Sequence, residues 1–191
     1  MEKRSINIAN MLQGSKVSGP GKRDLIWVQG CSIGCKGCFN KQLWSYDPKY
    51  IIPVDGLVNK FKSRIGQIDG VTILGGEPTE QAEALSYFLE GMKVLGLSTV
   101  VYTGLTYEEH MAKESKWIKR LFSFTDILID GPFILERKDT DLLWRGSSNQ
   151  RILFMTDAYN KSILKMEKPH NEEIHVFIKD DNEILFKTGI E

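Results

Sequence analysis

The chain has 191 residues, with 25 Lys and Arg balanced by 25 Asp and Glu. That length suits one domain able to bury its own core, and the balanced charge without a long basic run argues against a nucleic-acid surface. No apolar stretch is long enough to span a bilayer, and residues 1–7 lack the apolar core of a secretory signal. The expected location is therefore the cytosol, where thiols stay reduced.

Residues 6–12 form a mixed apolar start that reads as a strand, and 14–22 are a breaker-rich loop. Residues 25–29 form a short apolar run, a buried strand ended by Gly30. The segment 31–38 follows and holds every cysteine. Val54, Leu57, Val58, Phe61 and Ile65 recur at helical spacing and predict one helix over 53–65, stopped at Gly66. A strand at 70–74 runs into Gly75-Gly76-Glu77-Pro78, where Pro78 suits the first turn of the next helix. That helix, 79–95, carries the stripe Ala82, Leu85, Phe88, Leu89, Met92 and Leu95.

A strand at 98–102 leads to Thr103, and Thr106 with Glu109 has capping-box spacing. One helix is expected over much of 107–122, then a strand at 126–130 closed by Gly131 and Pro132. A dense polar run, 144–151, precedes a strand at 151–155 and a short polar helix near 157–166. Strands at 173–178 and 183–186 flank Asp180-Asp181-Asn182, a hairpin signal. His175 reads as a face residue of that hairpin, and His110 and His170 as surface residues.

Cys31, Cys35 and Cys38 make a C-x3-C-x2-C loop. Thiolates select Zn, Cu(I) or iron–sulfur clusters. A disulfide framework conflicts with the odd count. A redox pair at Cys35 and Cys38 leaves Cys31 spare, and a zinc site needs a fourth ligand from a distant histidine. Fully ligated cubanes take four cysteines. Three leave one iron of a [4Fe-4S] cluster open to a small molecule, and this is the favoured reading.

C-x3-C-x2-C resembles the signature of the radical S-adenosylmethionine (SAM) enzymes. Gly19-Pro20-Gly21-Lys22-Arg23, then Gln29-Gly30-Cys31, resembles the glycyl-radical activating enzymes among them. Gly37-Cys38-Phe39-Asn40 with Trp44, the stretch from Tyr102 to Glu109, Asp130-Gly131-Pro132-Phe133 and the run from Arg145 to Arg151 resemble the activating proteins of anaerobic ribonucleotide reductase. Two departures stand out: Ser32-Ile33-Gly34 fills the gap where that group often has a histidine, and Trp144 replaces a less bulky residue.

The resemblance implies an α/β fold: a partial, open β/α barrel of radical SAM type. Its sheet should be mainly parallel with flanking helices and a C-terminal β-hairpin. One domain is expected over 1–191, with a core at 19–151 and an extension at 152–191. Strand–helix alternation independently predicts a mainly parallel sheet, with the motifs gathered at strand carboxyl ends. Cys31, Cys35 and Cys38 would hold the cluster. Gly37, Phe39, Gly75, Gly76, Glu77, Pro78, Thr103, Asp130 and Arg145 are the candidate SAM residues: Glu77 or the neighbouring carbonyls as acceptors for its ammonium, Phe39 stacked on adenine, Arg145 on a carboxylate. Phe39 and Trp44 can equally be core, and Thr106 and Glu109 are assigned to capping.

The implied chemistry is reductive cleavage of SAM to a 5′-deoxyadenosyl radical that takes a hydrogen atom from a glycine of anaerobic ribonucleotide reductase. A flavodoxin-like or other low-potential donor would supply the electron. Neither nucleic acid nor membrane is an expected partner. Two rivals remain: a stand-alone radical SAM enzyme acting on a metabolite or peptide, and a non-catalytic iron–sulfur electron carrier, which leaves Gly75-Gly76-Glu77-Pro78 without a role.

Overall fold

The structure is a computed structural model that describes residues 4–166 and, as backbone, the strands His175–Ile178 and Ile184–Thr188. Its centre is parallel. Strands β2 (Arg23–Val28), β4 (Gly70–Gly75), β5 (Ser98–Tyr102) and β6 (Ile127–Asp130) lie side by side. Every residue of β2 and of β6 is buried, the pattern of strands covered on both faces. Antiparallel partners flank this centre: β1 (Ser5–Ser15) and then β3 (Tyr50–Pro53) on one side, β7 (Arg151–Phe154) on the other. The mainly parallel sheet expected from sequence thus has a parallel middle and antiparallel margins. It is an open sheet of order β3-β1-β2-β4-β5-β6-β7. The expected hairpin is present as β8 (His175–Ile178) and β9 (Ile184–Thr188), paired antiparallel. Its turn, His170 and the side chain of His175 lie outside the described residues.

Helices cover one face. Helix α1 (Val54–Phe61), α2 (Ala82–Val94) and α4 (Lys116–Ser123) enclose the larger core with Ile26, Ile73, Val101 and Leu128. The apolar stripe of α2 does this work: Leu85, Phe88, Leu89 and Met92 are fully buried, and Phe88 meets Phe61 edge-on at 5.5 Å. The opposite face carries Trp27 with Leu43, and Ile129 with Trp144, under irregular segments.

Three local differences from the sequence reading have physical causes. Residues 50–53 pair with β1 as β3, although the run is short and mostly exposed, because β1 offers a free edge. The helix expected at 53–65 ends at Phe61 and tightens into a 3-10 turn, Lys62–Arg64. The single helix expected at 107–122 is two, α3 (Tyr107–Ala112) and α4. Glu114 between them takes a left-handed φ of 49°, and the Ser115 hydroxyl caps α4 by accepting from the Ile118 N–H.

Arg23 explains the loop before β2. Its side chain is fully buried. It donates to the carbonyls of Pro20, Val71 and Ser98 and to the hydroxyls of Thr72 and Ser98, over 2.7–3.0 Å. One guanidinium fork thus ties residues 18–21 to the starts of β4 and β5. Arg23→Met leaves buried carbonyls without a donor. It should lower unfolding stability by roughly 3 kcal/mol, measured by denaturant titration.

Candidate functional site

The carboxyl ends of β2, β4, β5 and β6 open into a cavity of about 290 Å³. The sequence-predicted residues Cys31, Cys35, Cys38, Phe39, Gly75, Gly76, Glu77, Thr103 and Arg145 all line it. The parallel register brings these dispersed motifs together, since each follows a strand of the same direction.

Two backbone hydrogen bonds join the cysteine loop to the turn after β4. The Gly76 N–H donates to the Val28 carbonyl and the Glu77 N–H to the Gly30 carbonyl, both at 2.8 Å. The approach is so close that a Cβ on Gly76 would lie 2.1 Å from the Gly30 oxygen. Glycine is therefore required here by the neighbouring backbone.

The cysteine loop leaves Gly30, with the Cys31 N–H donating to Trp44 O and the Cys38 N–H to Cys35 O. Burial pushes the Cys31 and Cys35 thiols up. Backbone N–H groups of Ile33 and Gly34 at Cys31, and of Phe133 at Cys35, pull them back. The Asn40 N–H donates to Cys38 Sγ at 3.4 Å. All three sulfurs thus receive backbone donors, as thiolates ligating a cluster do. Among the described residues no three His, Cys, Asp or Glu side chains are set to hold a single metal ion. A cluster makes a different demand, since each thiolate reaches its own iron. Three sulfurs from one loop, on one cavity wall and with N–H donors, fit that demand.

Glu77 is 2% exposed. Its Oε1 accepts from the Thr79 N–H, the Thr79 hydroxyl and the Thr103 hydroxyl, at 2.7–3.0 Å, and Oε2 accepts from the Gly104 N–H at 2.8 Å. Burial raises its pKa, opposed by these donors, the Gly104 and Thr79 groups foremost. Four donors suit an ionised carboxylate. Among the described residues it has no cation within ion-pair distance.

Behind Thr103 stands His110, 1% exposed, with Nε2 at 2.8 Å from the Thr103 hydroxyl oxygen. The surface placement expected for His110 is thus corrected. It lies on the inner side of α3, edge-on to Phe122 at 5.4 Å. Thr106 and Glu109 form the capping box, as expected.

Gly37, Pro78 and Asp130 stand back from the cavity. Gly37 has a φ of 76°, and a Cβ there would meet Leu135 at 3.0 Å, so it admits a neighbouring segment. Pro78 opens a 3-10 turn, Pro78–Gln81, capped by the Glu77 side chain. Asp130 is fully buried, held by Arg151 Nε at 2.9 Å and by the Tyr107 N–H at 2.7 Å. Arg151 lies directly opposite it in the β6–β7 register.

The polar run 145–150 divides similarly. Ser147, Asn149 and Gln150 staple the loop shut: the Ile134 N–H donates to Ser147 Oγ, Asn149 donates to Pro132 O and Gln150 to Gly131 O. Arg145 reaches only carbonyls, Leu143 at 3.4 Å and Gln150 at 3.3 Å, and pairs with no carboxylate among the described residues. It is one of the residues lining the cavity.

Sequence reasoning missed Tyr102, Phe133 and His110. Tyr102 donates to the Trp144 carbonyl at 2.8 Å, fixing Trp144 at a left-handed φ of 57°. The Phe133 ring centroid lies 5.6 Å from that of Phe39, a residue 46% exposed that also lines the cavity. The signal for His110 was present: it follows Thr103 by seven residues, within one strand-end–helix unit.

The three cysteines line this cavity, and residues 17–153 match the family model described as a 4Fe-4S single cluster domain, which makes this an iron–sulfur protein. Within that class the chain belongs to the family of anaerobic ribonucleoside-triphosphate reductase-activating proteins. It is similar to the proteins of that name from Haemophilus influenzae, 32% identical and covering 71% of this chain and 90% of that one, and Vibrio cholerae, 33% identical with the same coverages. The Escherichia coli K12 protein is 30% identical, covering 70% of this chain and 89% of its own.

Gly76→Ala should force the two loops apart, costing about 2–3 kcal/mol of stability and lowering iron content after reconstitution. Denaturant midpoints and iron assays check this. Burial also pushes the His110 imidazole down to about 4 from 6.5. The unfolded chain therefore takes up a proton first as pH falls, and His110 lowers stability progressively from about pH 6.5 to about 4. A His110→Gln variant should lose less stability than the unmodified protein across that window in acid titrations followed by circular dichroism.

Proposed function

We propose that this protein is a [4Fe-4S]-dependent radical SAM enzyme that installs a glycyl radical on an anaerobic ribonucleotide reductase. The observation that carries the reading is the lining of one cavity by three cysteines and by a buried carboxylate that has no cation among the described residues. Cluster and SAM together would supply reductive cleavage of the sulfonium and hydrogen-atom abstraction, chemistry that belongs to the cofactors. The chain's part is to hold, orient and shield.

Cys31, Cys35 and Cys38 would hold the cluster. Glu77 offers its charge to the ligand's ammonium, a charge-assisted contact strengthened by burial. Arg145 offers a complementary cation for a carboxylate. The peptide groups of Gly75 and Gly76, locked by the β2 end, would keep the methionyl portion in register. Phe39, backed by Phe133, presents an aromatic surface at the mouth. The relatives' name supports anaerobic ribonucleotide reductase as the protein substrate, and a low-potential, flavodoxin-like donor would supply the electron.

The test is anaerobic electron paramagnetic resonance of the reconstituted protein with SAM, a reductant and the host's reductase. A persistent glycine-centred doublet is expected, and it should vanish with Cys35→Ala. Cleavage of SAM without a radical on a reductase preparation that a known activase can charge would overturn the assignment of substrate. Glu77→Gln should weaken SAM binding about 10- to 100-fold, as loss of a buried charge-assisted contact does, measured by calorimetry on the reconstituted protein.

A further inference from the structure

Glu77, Thr103 and His110 form a chain from the cavity wall into the helix layer. The Thr103 hydroxyl oxygen is 2.9 Å from Glu77 Oε1 and 2.8 Å from His110 Nε2. A hydroxyl has one proton to donate, and an ionised carboxylate can only accept. With Glu77 ionised, Thr103 therefore donates to Glu77, and His110 Nε2 must carry the proton that Thr103 accepts. The other ring nitrogen agrees: Nδ1 is buried without a partner among the described residues. A bare acceptor is the less costly group to leave there, and the Nε2–H tautomer leaves Nδ1 as that acceptor.

We propose that His110 is a positioning residue of this site: its Nε2–H fixes the Thr103 hydroxyl as a donor to Glu77, holding that carboxylate ionised and aimed to receive a ligand's ammonium. The proposal rests on the SAM reading for the identity of the ligand, and on geometry for the chain itself. The surroundings favour a neutral ring. Burial foremost, and Lys113 on the same helix, oppose a positive charge, and together they outweigh Glu109 and Asp130, which favour one. The Phe122 ring contributes no charge. A neutral His110 gives the chain a fixed direction, so Thr103 cannot turn to offer Glu77 a lone pair.

Two measurements test it. In the reconstituted protein, long-range proton–nitrogen NMR of the imidazoles, with His110 assigned by the His110→Gln variant, should show the Nε2–H tautomer from pH 6 to 8, a window about two units clear of the pKa of about 4. An Nδ1–H tautomer or a charged ring overturns the proposal. Calorimetry then compares SAM affinity in two variants. His110→Gln keeps an N–H at the Nε2 position and should bind within about twofold of the unmodified protein. His110→Leu removes the donor and should bind about tenfold more weakly, a loss of ~1.4 kcal/mol. Equal affinity in both variants overturns the proposal. Should His110→Leu not fold, Thr103→Ser against Thr103→Val replaces it, with Ser expected to bind like Thr and Val about tenfold more weakly. If the unmodified protein binds no SAM, the reading of the function fails, and the tautomer still decides the direction of the chain.

Discussion

The site depends on the contact between two strand ends. β2 and β4 run parallel, and beyond them the chain continues the pairing for two more hydrogen bonds, Gly76 to Val28 and Glu77 to Gly30. Those bonds set the distance between the cysteine loop and the Glu77 carboxylate. Everything else at the cavity is arranged around that fixed pair. β5 adds Thr103 and Gly104 as donors to Glu77, and the stapled loop after β6 adds Arg145 and Phe133. A side chain at Gly76 would break the junction, so the backbone contact by itself requires glycine there.

The energetic logic is unequal across the sheet. On the helical face, apolar burial by Leu85, Phe88, Leu89 and Met92 dominates and needs no polar detail. Elsewhere in the fold several charged groups are buried, each answered by specific partners. Arg23, Asp130 with Arg151, and Asp126 with Lys93 are examples. Buried polar groups of this kind cost stability when unpaired. Glu77, like Arg23, has hydrogen-bond partners but no counter-ion among the described residues. Of the two, Glu77 lies on the cavity wall.

Much of this was legible in the sequence. The cysteine spacing, the buried strand before it and the glycine pair after β4 are local signals, and they located the site. The apolar stripe of α2 located the core. Less legible were features set by three-dimensional neighbours. Asp130 reads as a strand-end ligand residue, but its register places Arg151 against it. His110 reads as exposed because the segment around it is charged, yet the break at Glu114 turns α3 so that its ring enters the core. β3 is nearly invisible in composition, since a short edge strand is defined by its partner's free hydrogen bonds.

The uneven cover of the sheet also divides the molecule into two tiers of local stability. Amides of β4 and β5 sit in ladders between packed layers and should exchange with solvent only through global unfolding. The wall over the cavity, residues 131–150, holds together differently: a 3-10 turn at Leu135–Arg137, one isolated bridge between Lys138 and Ser147, and side-chain staples from Asn149 and Gln150. Such a wall rests on a few local contacts, whereas the strands beneath are held by continuous ladders. Loss of those few staples would therefore loosen the wall and leave the cysteine loop and Glu77 in place, since both are fixed by the β2–β4 junction.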